Sequence, residues 1–526
     1  MNILIANVGN IRMNEIKCLA GALSKKKHTV TIACMAMESR YKGQAFSYSH
    51  EAVRTNHVIY QDGKTKASRI MAHEFYSTPA DAVSVMLGEI MQAGRPDLVI
   101  CGIDNGVSMG QDIYYSSNIG MAMEAAYFGI PVFAVGIENR VGGHRENEVA
   151  AAVKFIETNL KKLVKIKLPK SSFLSINIPT VENYSDLKGV KITRLGKLDL
   201  INEFVERTDH KGGKYYWAKN IERNGVNEPG TDIEAFSEGY VSVTPIDYNA
   251  TSYEELAKYS NPLVPTQNKP MRIMLVNEEG CFNPGITALA KILSAHHRVN
   301  IVAPLEPLKG VGHSFTTAYA PLRFRQYFVL DKVKIFSVSG TPCDCVTFGL
   351  DKILKSKPDL IISGIDSSNN RGETIFSSGV VSAAVEGTIQ GIPSIALSAK
   401  CETSKDEKDF LAVARVFDKF LPDFVKLIKP GITLNINFPA NFSKRNIMFT
   451  HATDGLIDNK YTGEVNPFGE QFYWLDTPKM GFSNEALEQK GDLYWSKRNF
   501  ITVTPIKVDL TCLRSLPILD KAGLTV

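Results

Sequence analysis

The stretch that decides the fold is Asn2-Ile-Leu-Ile-Ala-Asn7, which returns as Arg272-Ile-Met-Leu-Val-Asn277 in the second half of the chain. Both are short apolar runs typical of buried strands. In the first copy, residues 15–25 have helical spacing and residues 29–34 form another β-branched run. Strands that alternate with helices predict a mostly parallel sheet covered by helices on both faces. The sequence therefore predicts an α/β fold of the Rossmann type with three layers.

Six further pairs of segments occur in the same order in both halves of the chain. They are Thr78-Pro-Ala-Asp81 with Thr341-Pro-Cys-Asp344, Gly102-Ile-Asp104 with Gly364-Ile-Asp366, Gly129-Ile-Pro131 with Gly391-Ile-Pro393, Ile176-Asn-Ile-Pro179 with Ile436-Asn-Phe-Pro439, Tyr216-Trp217 with Tyr473-Trp474, and Val243-Thr-Pro-Ile246 with Val503-Thr-Pro-Ile506. Their separations lie between 257 (473 − 216) and 263 (341 − 78) residues. Units this long are whole domains, because solenoid repeats run about 20–50 residues. We predict domains at 1–259 and 271–526, joined by a proline-containing linker at 260–270, and β-hairpins late in each domain.

Composition excludes several classes of protein. The 526 residues include 60 basic and 55 acidic side chains, an excess too small to indicate binding of a nucleic acid polymer. No apolar run approaches the roughly 20 residues that span a bilayer. The eight cysteines are scattered rather than arranged as a disulfide framework. We expect a cytoplasmic protein without a membrane or nucleic acid partner.

The polar residues after the strands of the second unit suggest a family. The relevant segments are Val302-Ala-Pro304, Lys309-Gly-Val-Gly-His-Ser-Phe-Thr316, Gly340-Thr-Pro-Cys-Asp-Cys-Val346, Ser363-Gly-Ile-Asp-Ser-Ser-Asn-Asn-Arg-Gly372, Ser377-Ser-Gly-Val380 and Asn466-Pro-Phe-Gly469. In this order they closely resemble SurE, the survival-protein-E family of metal-dependent 5′/3′-nucleotidases and acid phosphatases. The first unit resembles the family more weakly.

The resemblance implies a site in the second unit that hydrolyses nucleoside monophosphates or related phosphate esters with Mg²⁺, Mn²⁺ or Co²⁺. Carried over by position, the metal ligands are Glu278, Glu279 and Asn370, and the two glutamates are also the catalytic residues. Phosphate would be held by Ser377, Ser378 and Gly379 at a helix N-terminus, where backbone N–H groups bind anions. The alternative is that these serines only cap the helix.

Both units depart from the family pattern at the metal site. Lys309 stands where the family has a serine ligand, and Asp366 replaces an asparagine. The first unit departs further, and its altered positions are Val8, Gly9, Lys42, Asp104 and Ser108. An ammonium group only donates hydrogen bonds and cannot ligate a cation. We hypothesise that it takes the place of the metal and pairs with the acids; the alternative is that Lys309 points into solvent.

Two functions therefore remain open at this point. One is a metal-dependent phosphomonoesterase with its chemistry in the second unit. The other is a catalytically inactive binding or scaffold protein in which Lys309 and Lys42 replace the metal. An NAD-type Rossmann enzyme is disfavoured because neither first loop carries G-x-G-x-x-G.

The resemblance implies that the two units pair within the chain as a pseudo-dimer. A homodimer of two such chains is a further possibility that the resemblance implies. His313 is expected to be a structural hydrogen-bonding residue rather than a catalytic one.

Overall fold

The structure is a computed structural model that describes most of the 526 residues. It describes all positions except 38, 40, 48–51, 62–68, 139–145, 202, 220–221, 226–227, 260–262, 264–268, 317–319, 331, 401–406, 444–445, 455–459 and 476–489. Most of the predicted linker lies outside the described residues, so the domain boundaries stay a prediction.

The first half of the chain contains thirteen of the described strands and six α-helices. They are β1 (Asn2–Asn7), α1 (Asn14–Lys25), β2 (Thr29–Met35), β3 (Val53–Gln61), β4 (Arg69–Tyr76), α2 (Pro79–Val85), β5 (Leu98–Asn105), α3 (Ser117–Tyr127), β6 (Val132–Ile137), α4 (Glu146–Lys165), β7 (Ser172–Ile178), β8 (Val190–Ile192), β9 (Leu198–Ile201), β10 (Phe204–Thr208), β11 (Lys214–Ala218), β12 (Glu222–Gly225), α5 (Asp232–Ser237), β13 (Val241–Asp247) and α6 (Tyr253–Lys258).

The second half repeats this succession, with the exception of the β9–β12 pair, among its described residues. They are β14 (Arg272–Val276), α7 (Pro284–Leu293), β15 (Arg298–Pro304), β16 (Phe324–Leu330), β17 (Val333–Val338), α8 (Pro342–Phe348), β18 (Leu360–Asp366), α9 (Gly379–Ile389), β19 (Ser394–Ala399), α10 (Glu407–Leu427), β20 (Ile432–Phe438), β21 (Ile447–Phe449), β22 (Tyr461–Val465), β23 (Gln471–Leu475), α11 (Asp492–Ser496), β24 (Ile501–Lys507) and α12 (Leu516–Asp520).

The two main sheets have matching strand orders. The first contains β3-β4-β2-β1-β5-β6-β7-β13-β8 and the second β16-β17-β15-β14-β18-β19-β20-β24-β21. In each sheet the six strands from β4 to β7, or from β17 to β20, run parallel. Equal topology in both halves confirms the predicted fold and is consistent with the duplication. The strand order reverses beside β1 and β14, and the crevice at such a switch point is where α/β sheets bind ligands.

The repeated Thr-Pro-x-Asp motif has a local structural reason. Thr78 and Thr341 are the N-caps of α2 and α8, and each accepts a hydrogen bond from the N–H of the aspartate three residues later. Each aspartate in turn accepts from the N-cap backbone, which completes a capping box. Proline at the first helical position fits because its missing N–H has no helical partner there. The motif therefore starts a helix in both units.

The units pack against each other and exchange hairpins. The hairpin β22–β23 of the second unit joins the edge of the first sheet, with Tyr473 opposite Val53. The hairpin β10–β11 of the first unit reaches the second unit, where Tyr216 pairs with Leu322. Residues of α3 and α9 share one buried apolar cluster. The predicted pairing of units within the chain is thus observed, and the late hairpins extend the core as expected.

Across the part of the chain that is described, no helix is both long and apolar enough to cross a membrane.

Candidate functional site

The loops after β14, β15 and β18 meet at one edge of the second sheet. Leu308, in the loop after β15, donates its N–H to the Glu278 carbonyl at 2.7 Å. Ser367, directly after β18, donates its N–H to the Glu279 carboxylate at 3.3 Å. Because the carboxyl ends of parallel strands share one edge, residues far apart in sequence become neighbours here. The crevice holds Glu278, Glu279, Lys309 and Asp366.

Glu278 is turned onto the start of helix α9. Its Oε2 accepts a hydrogen bond from the Gly379 N–H at 2.6 Å, and the side chain is buried. A Cβ at Gly379 would lie 2.7 Å from the same oxygen, so only glycine permits this approach. A carboxylate at a helix N-terminus interacts favourably with the free N–H groups and the helix dipole. Glu278 therefore occupies the anion position that the sequence predicted for phosphate.

Glu279 forms an ion pair with Lys309. The lysine Nζ lies 2.6 Å from Glu279 Oε1, and the side chains are 49% and 4% exposed. Ser367 donates its hydroxyl to the same carboxylate. The tight turn after β14 is held by Asn277, whose Oδ1 accepts the Glu279 N–H at 2.5 Å. The ammonium group thus neutralises the buried Glu279 carboxylate.

Asp366 and Asn370 form the third part of the crevice. Asp366 is fully buried and accepts the amide N–H of Asn370 at 3.0 Å and the hydroxyl of Ser368. Asn370 also donates to Ser398 at 2.7 Å, and its N–H bonds to Asn437 at 3.0 Å. Asn370 is therefore fixed by hydrogen bonds to Asp366 and the sheet.

Burial and neighbouring charges shift the pKa of three side chains in the crevice. Burial raises the pKa of the Glu278 carboxyl well above its ordinary value, and the charges of Asp366 and Glu279 raise it further. Burial and the charge of Glu279 also raise the pKa of Asp366. Burial opposes the charge on Lys309, but hydrogen bonding and attraction to Glu279 raise its pKa overall. The pKa values of Glu278, Asp366 and Lys309 thus all lie above their ordinary values, and Lys309 pairs with Glu279.

Ser377, Ser378 and Gly379 lie together, but their polar groups have partners within the protein. The Ser378 hydroxyl caps α9 by accepting the Val381 N–H at 3.2 Å. The Ser377 hydroxyl donates to the Thr374 carbonyl at 3.3 Å. Together with the Glu278 contact of Gly379, these bonds match the helix-capping alternative. Phosphate binding by the three residues stays a prediction.

A divalent cation does not fit the residues as they are arranged. Mg²⁺ requires oxygen ligands converging near 2.1 Å in close to octahedral geometry. Instead, Glu278 points to the α9 backbone, Glu279 is held by Lys309 and Ser367, and Asn370 donates to Asp366. Within the described ranges, no three His, Cys, Asp or Glu side chains are grouped to hold a metal ion.

The same edge of the first unit has kept the backbone turn but not the two glutamates that follow the first strand. Gly9 donates its N–H to Asn7 Oδ1 at 2.8 Å, as Glu279 does to Asn277, which supports the positional match between the units. Val8 and Gly9 supply no carboxylate. Ser108 is bound by its N–H to Asn177 at 2.8 Å and by its hydroxyl to Ser116 at 2.7 Å.

Lys42 and Asp104 lie at the corresponding loop and strand end, and Asp104 is buried. The backbone N–H of Lys42 donates to the Ser117 hydroxyl at 3.0 Å. That Lys42 takes the place of a metal stays a prediction.

A buried cluster beside the crevice includes two residues that the sequence reading missed. His313 Nε2 lies 2.8 Å from Glu386 Oε2, and Tyr115 of the first unit donates its hydroxyl to the same oxygen at 2.9 Å. His313 thus has the structural role expected of it. One signal was available, because Glu386 is the only charged residue in the apolar helix α9. Its partners were not visible from sequence because they come from other loops.

Comparison with known proteins agrees with the repeated fold. The family model described as "Survival protein SurE" matches residues 3–202 and again residues 273–459. A 5′-nucleotidase SurE of Thermosipho melanesiensis is 37% identical over 246 residues, which are 46% of this chain and 93% of that protein. One of Clostridium beijerinckii is 39% identical over 254 residues, covering 46% and 94%. A crystal structure of the SurE protein from Aquifex aeolicus is 34% identical, covers 47% of this chain and 98% of its own, and has a TM-score of 0.40. Because the two matched segments make up more than half of the chain, it belongs to the SurE family.

Proposed function

We propose that this chain is a catalytically inactive SurE-family protein, a binding or scaffold protein in which Lys309 replaces the divalent cation. The observation that carries the proposal is the 2.6 Å contact between Lys309 Nζ and the buried Glu279 carboxylate. A buried carboxylate needs a compensating charge, and the ammonium supplies it from within the chain. Lys42 has the same role in the first unit.

The carboxylate of Glu278 supports the same proposal. It binds the Gly379 N–H at 2.6 Å, where a substrate phosphate oxygen would otherwise bind. A phosphate entering this position has to displace the side chain of Glu278 and also approach the acidic side chains of Asp366 and Glu279. Both contacts oppose binding and hydrolysis of a phosphate monoester at the α9 N-terminus.

The second candidate is a phosphomonoesterase acting on nucleoside monophosphates with Mg²⁺, Mn²⁺ or Co²⁺. It is favoured by relatives that are called 5′-nucleotidases and are 37–39% identical over about half of this chain. The three acids are oxygen donors of the type that hard cations prefer. In this case Lys309, whose side chain is half exposed, would have to leave Glu279.

One set of assays separates the two candidates. The full chain is tested for phosphate release from nucleoside monophosphates with each of the three metals, beside Lys309→Ser and Glu279→Ala. Lys191→Ser is the matched control, since Lys191 pairs with Glu238 at 2.5 Å outside the crevice. We expect no metal-dependent release by the wild type or the control, and release only when Lys309→Ser removes the ammonium. Wild-type activity that is lost in Glu279→Ala would establish the phosphomonoesterase instead.

A further inference from the structure

We propose that Tyr115 of the first unit is a positioning residue for the Lys309 loop of the second unit, acting through Glu386 and His313. The inference rests on the proposed function insofar as Lys309 is the functional group of the crevice. It assigns a role to a unit that has Val8 and Gly9 in place of the two glutamates.

The cluster is buried, and its hydrogen bonds converge on the Glu386 carboxylate. Glu386 Oε2 accepts the Tyr115 hydroxyl at 2.9 Å and lies 2.8 Å from His313 Nε2. Gln390 donates to Glu386 Oε1 at 2.8 Å. The side chains of Tyr115, Glu386 and His313 are all buried. A buried carboxylate strongly favours keeping its donors in place, because losing one leaves it poorly compensated. Glu386 therefore ties His313 to the first unit.

His313 belongs to the loop that presents Lys309. Only three residues separate them, and two of these are Gly310 and Gly312, which have φ angles of +72° and +50°. Glycines with positive φ lack a side chain that would fix the loop. The loop is fixed by contacts from outside instead. Gly310 accepts the Phe46 N–H at 2.9 Å, and Phe315 donates its N–H to Tyr41 at 3.0 Å.

Those outside contacts come from the first unit. A Cβ at Gly312 would lie 3.1 Å from the Gln44 backbone, so the first unit packs directly on the loop. On the other side, Gly312 donates its N–H to the Ser377 carbonyl at 3.0 Å, close to the start of α9. The first unit, His313 and α9 thus enclose the segment that carries Lys309.

The arrangement is present on one side of the pseudo-dimer. Gly43 donates its N–H to the Tyr115 carbonyl as Gly312 does to the Ser377 carbonyl, and Phe46 donates to Gly310 as Phe315 does to Tyr41. These matching bonds place Gln44 opposite His313 and Ser377 opposite Tyr115. Ser377 is much shorter than tyrosine, and its hydroxyl donates to the Thr374 carbonyl at 3.3 Å within its own unit, so the link through a tyrosine ring belongs to the first unit. In this asymmetric arrangement, the first unit supports the crevice of the second unit.

Hydrogen exchange of the full chain, followed by mass spectrometry, tests the proposal. Tyr115→Phe removes one hydroxyl and keeps the ring. The matched control is Tyr114→Phe, which also removes a buried inter-unit bond, from its hydroxyl to the Val508 carbonyl at 2.9 Å. We expect exchange in residues 309–315 to become about fivefold faster in Tyr115→Phe, the effect of one net hydrogen bond. Tyr114→Phe should leave this segment unchanged and speed exchange near Val508.

Equal exchange of residues 309–315 in both tyrosine variants would overturn the proposal. A second pair guards against a general loss of stability. His313→Ala should accelerate exchange of the loop, and His313→Gln, whose amide still donates to Glu386, should restore part of the protection. No recovery in the glutamine variant would also count against the link. Because the measurement needs neither ligand nor hydrolysis, its failure is distinct from a failure of the proposed function.

Discussion

Replacing Lys309 by methionine tests whether the ammonium takes the place of a metal. The change keeps most of the side-chain volume and removes the charge that lies 2.6 Å from Glu279. Exposed ion pairs contribute about 0–1 kcal/mol, whereas removing one partner of a buried pair costs about 3–5 kcal/mol. Here one partner is half exposed and the other buried, so after discounting for solvent screening we expect a loss of about 1–2 kcal/mol. That corresponds to a fall in Tm of roughly 1–4 °C, depending on whether one domain or the whole chain unfolds cooperatively.

The informative measurement is thermal unfolding with and without Mn²⁺. In Lys309→Met the three acids lack a counter-charge, so Mn²⁺ should bind and recover stability, by about 2.7 kcal/mol at a hundred times its Kd. The wild type should show no such rise, because its ammonium already balances Glu279. Lys191→Met, the control outside the crevice, should not respond to Mn²⁺. An equal rise in Tm for wild type and Lys309→Met would refute the reasoning, since the metal would then bind beside the lysine.

Three further predictions concern the scaffold. Burial raises the pKa of Asp232 from 3.8 to about 6, so the folded state holds this proton more tightly than the unfolded state, and the free energy of unfolding falls as pH rises through that range. In urea unfolding, the wild type should lose up to about 3 kcal/mol relative to Asp232→Asn between pH 4 and pH 7. Tyr473→Ala should lower the free energy of unfolding by about 3 kcal/mol, because the ring is buried where the exchanged hairpin joins the first sheet. Trp474 is 42% exposed, so Trp474→Ala should lower it by under about 1 kcal/mol in the same assay. Similar losses in the two variants would contradict this account of the hairpin. Gly364→Ala should fail to give soluble folded protein, because its Cβ would lie 2.0 Å from the Leu397 carbonyl in β19. A Cβ at Gly391 meets nothing within 4 Å, so Gly391→Ala should cost only about 1 kcal/mol of stability for its positive φ. Expression and circular dichroism of the two variants test this difference.

The position of the crevice was predictable from the sequence. Apolar runs predicted strands that end at Asn7 and Asn277, and parallel strands bring such ends to one edge of a sheet. The residue types Lys309 and Val8 also showed that both units depart from the metal-binding pattern of the family they resemble. These inferences succeeded because they depend on residue type and local periodicity.

The direction of each side chain was not predictable. A sequence places Glu278 and Glu279 side by side, but Glu278 turns to Gly379 and Glu279 to Lys309. The side chain of Glu278 fills the position predicted for phosphate, because the start of α9 lies within its reach. That reach depends on how α9 packs on the sheet, which no local pattern records.

The sequence by itself determined the duplication, the α/β fold and the loss of the glutamate pair from the first unit. Repeats, hydrophobic periodicity and residue chemistry can all be read from local stretches of sequence. Only the tertiary structure decided which hairpin joins which sheet and that Tyr115 reaches Glu386 across 271 residues. The physical reason is that these contacts are fixed by burial of a shared interface, where each bond depends on the position of both units.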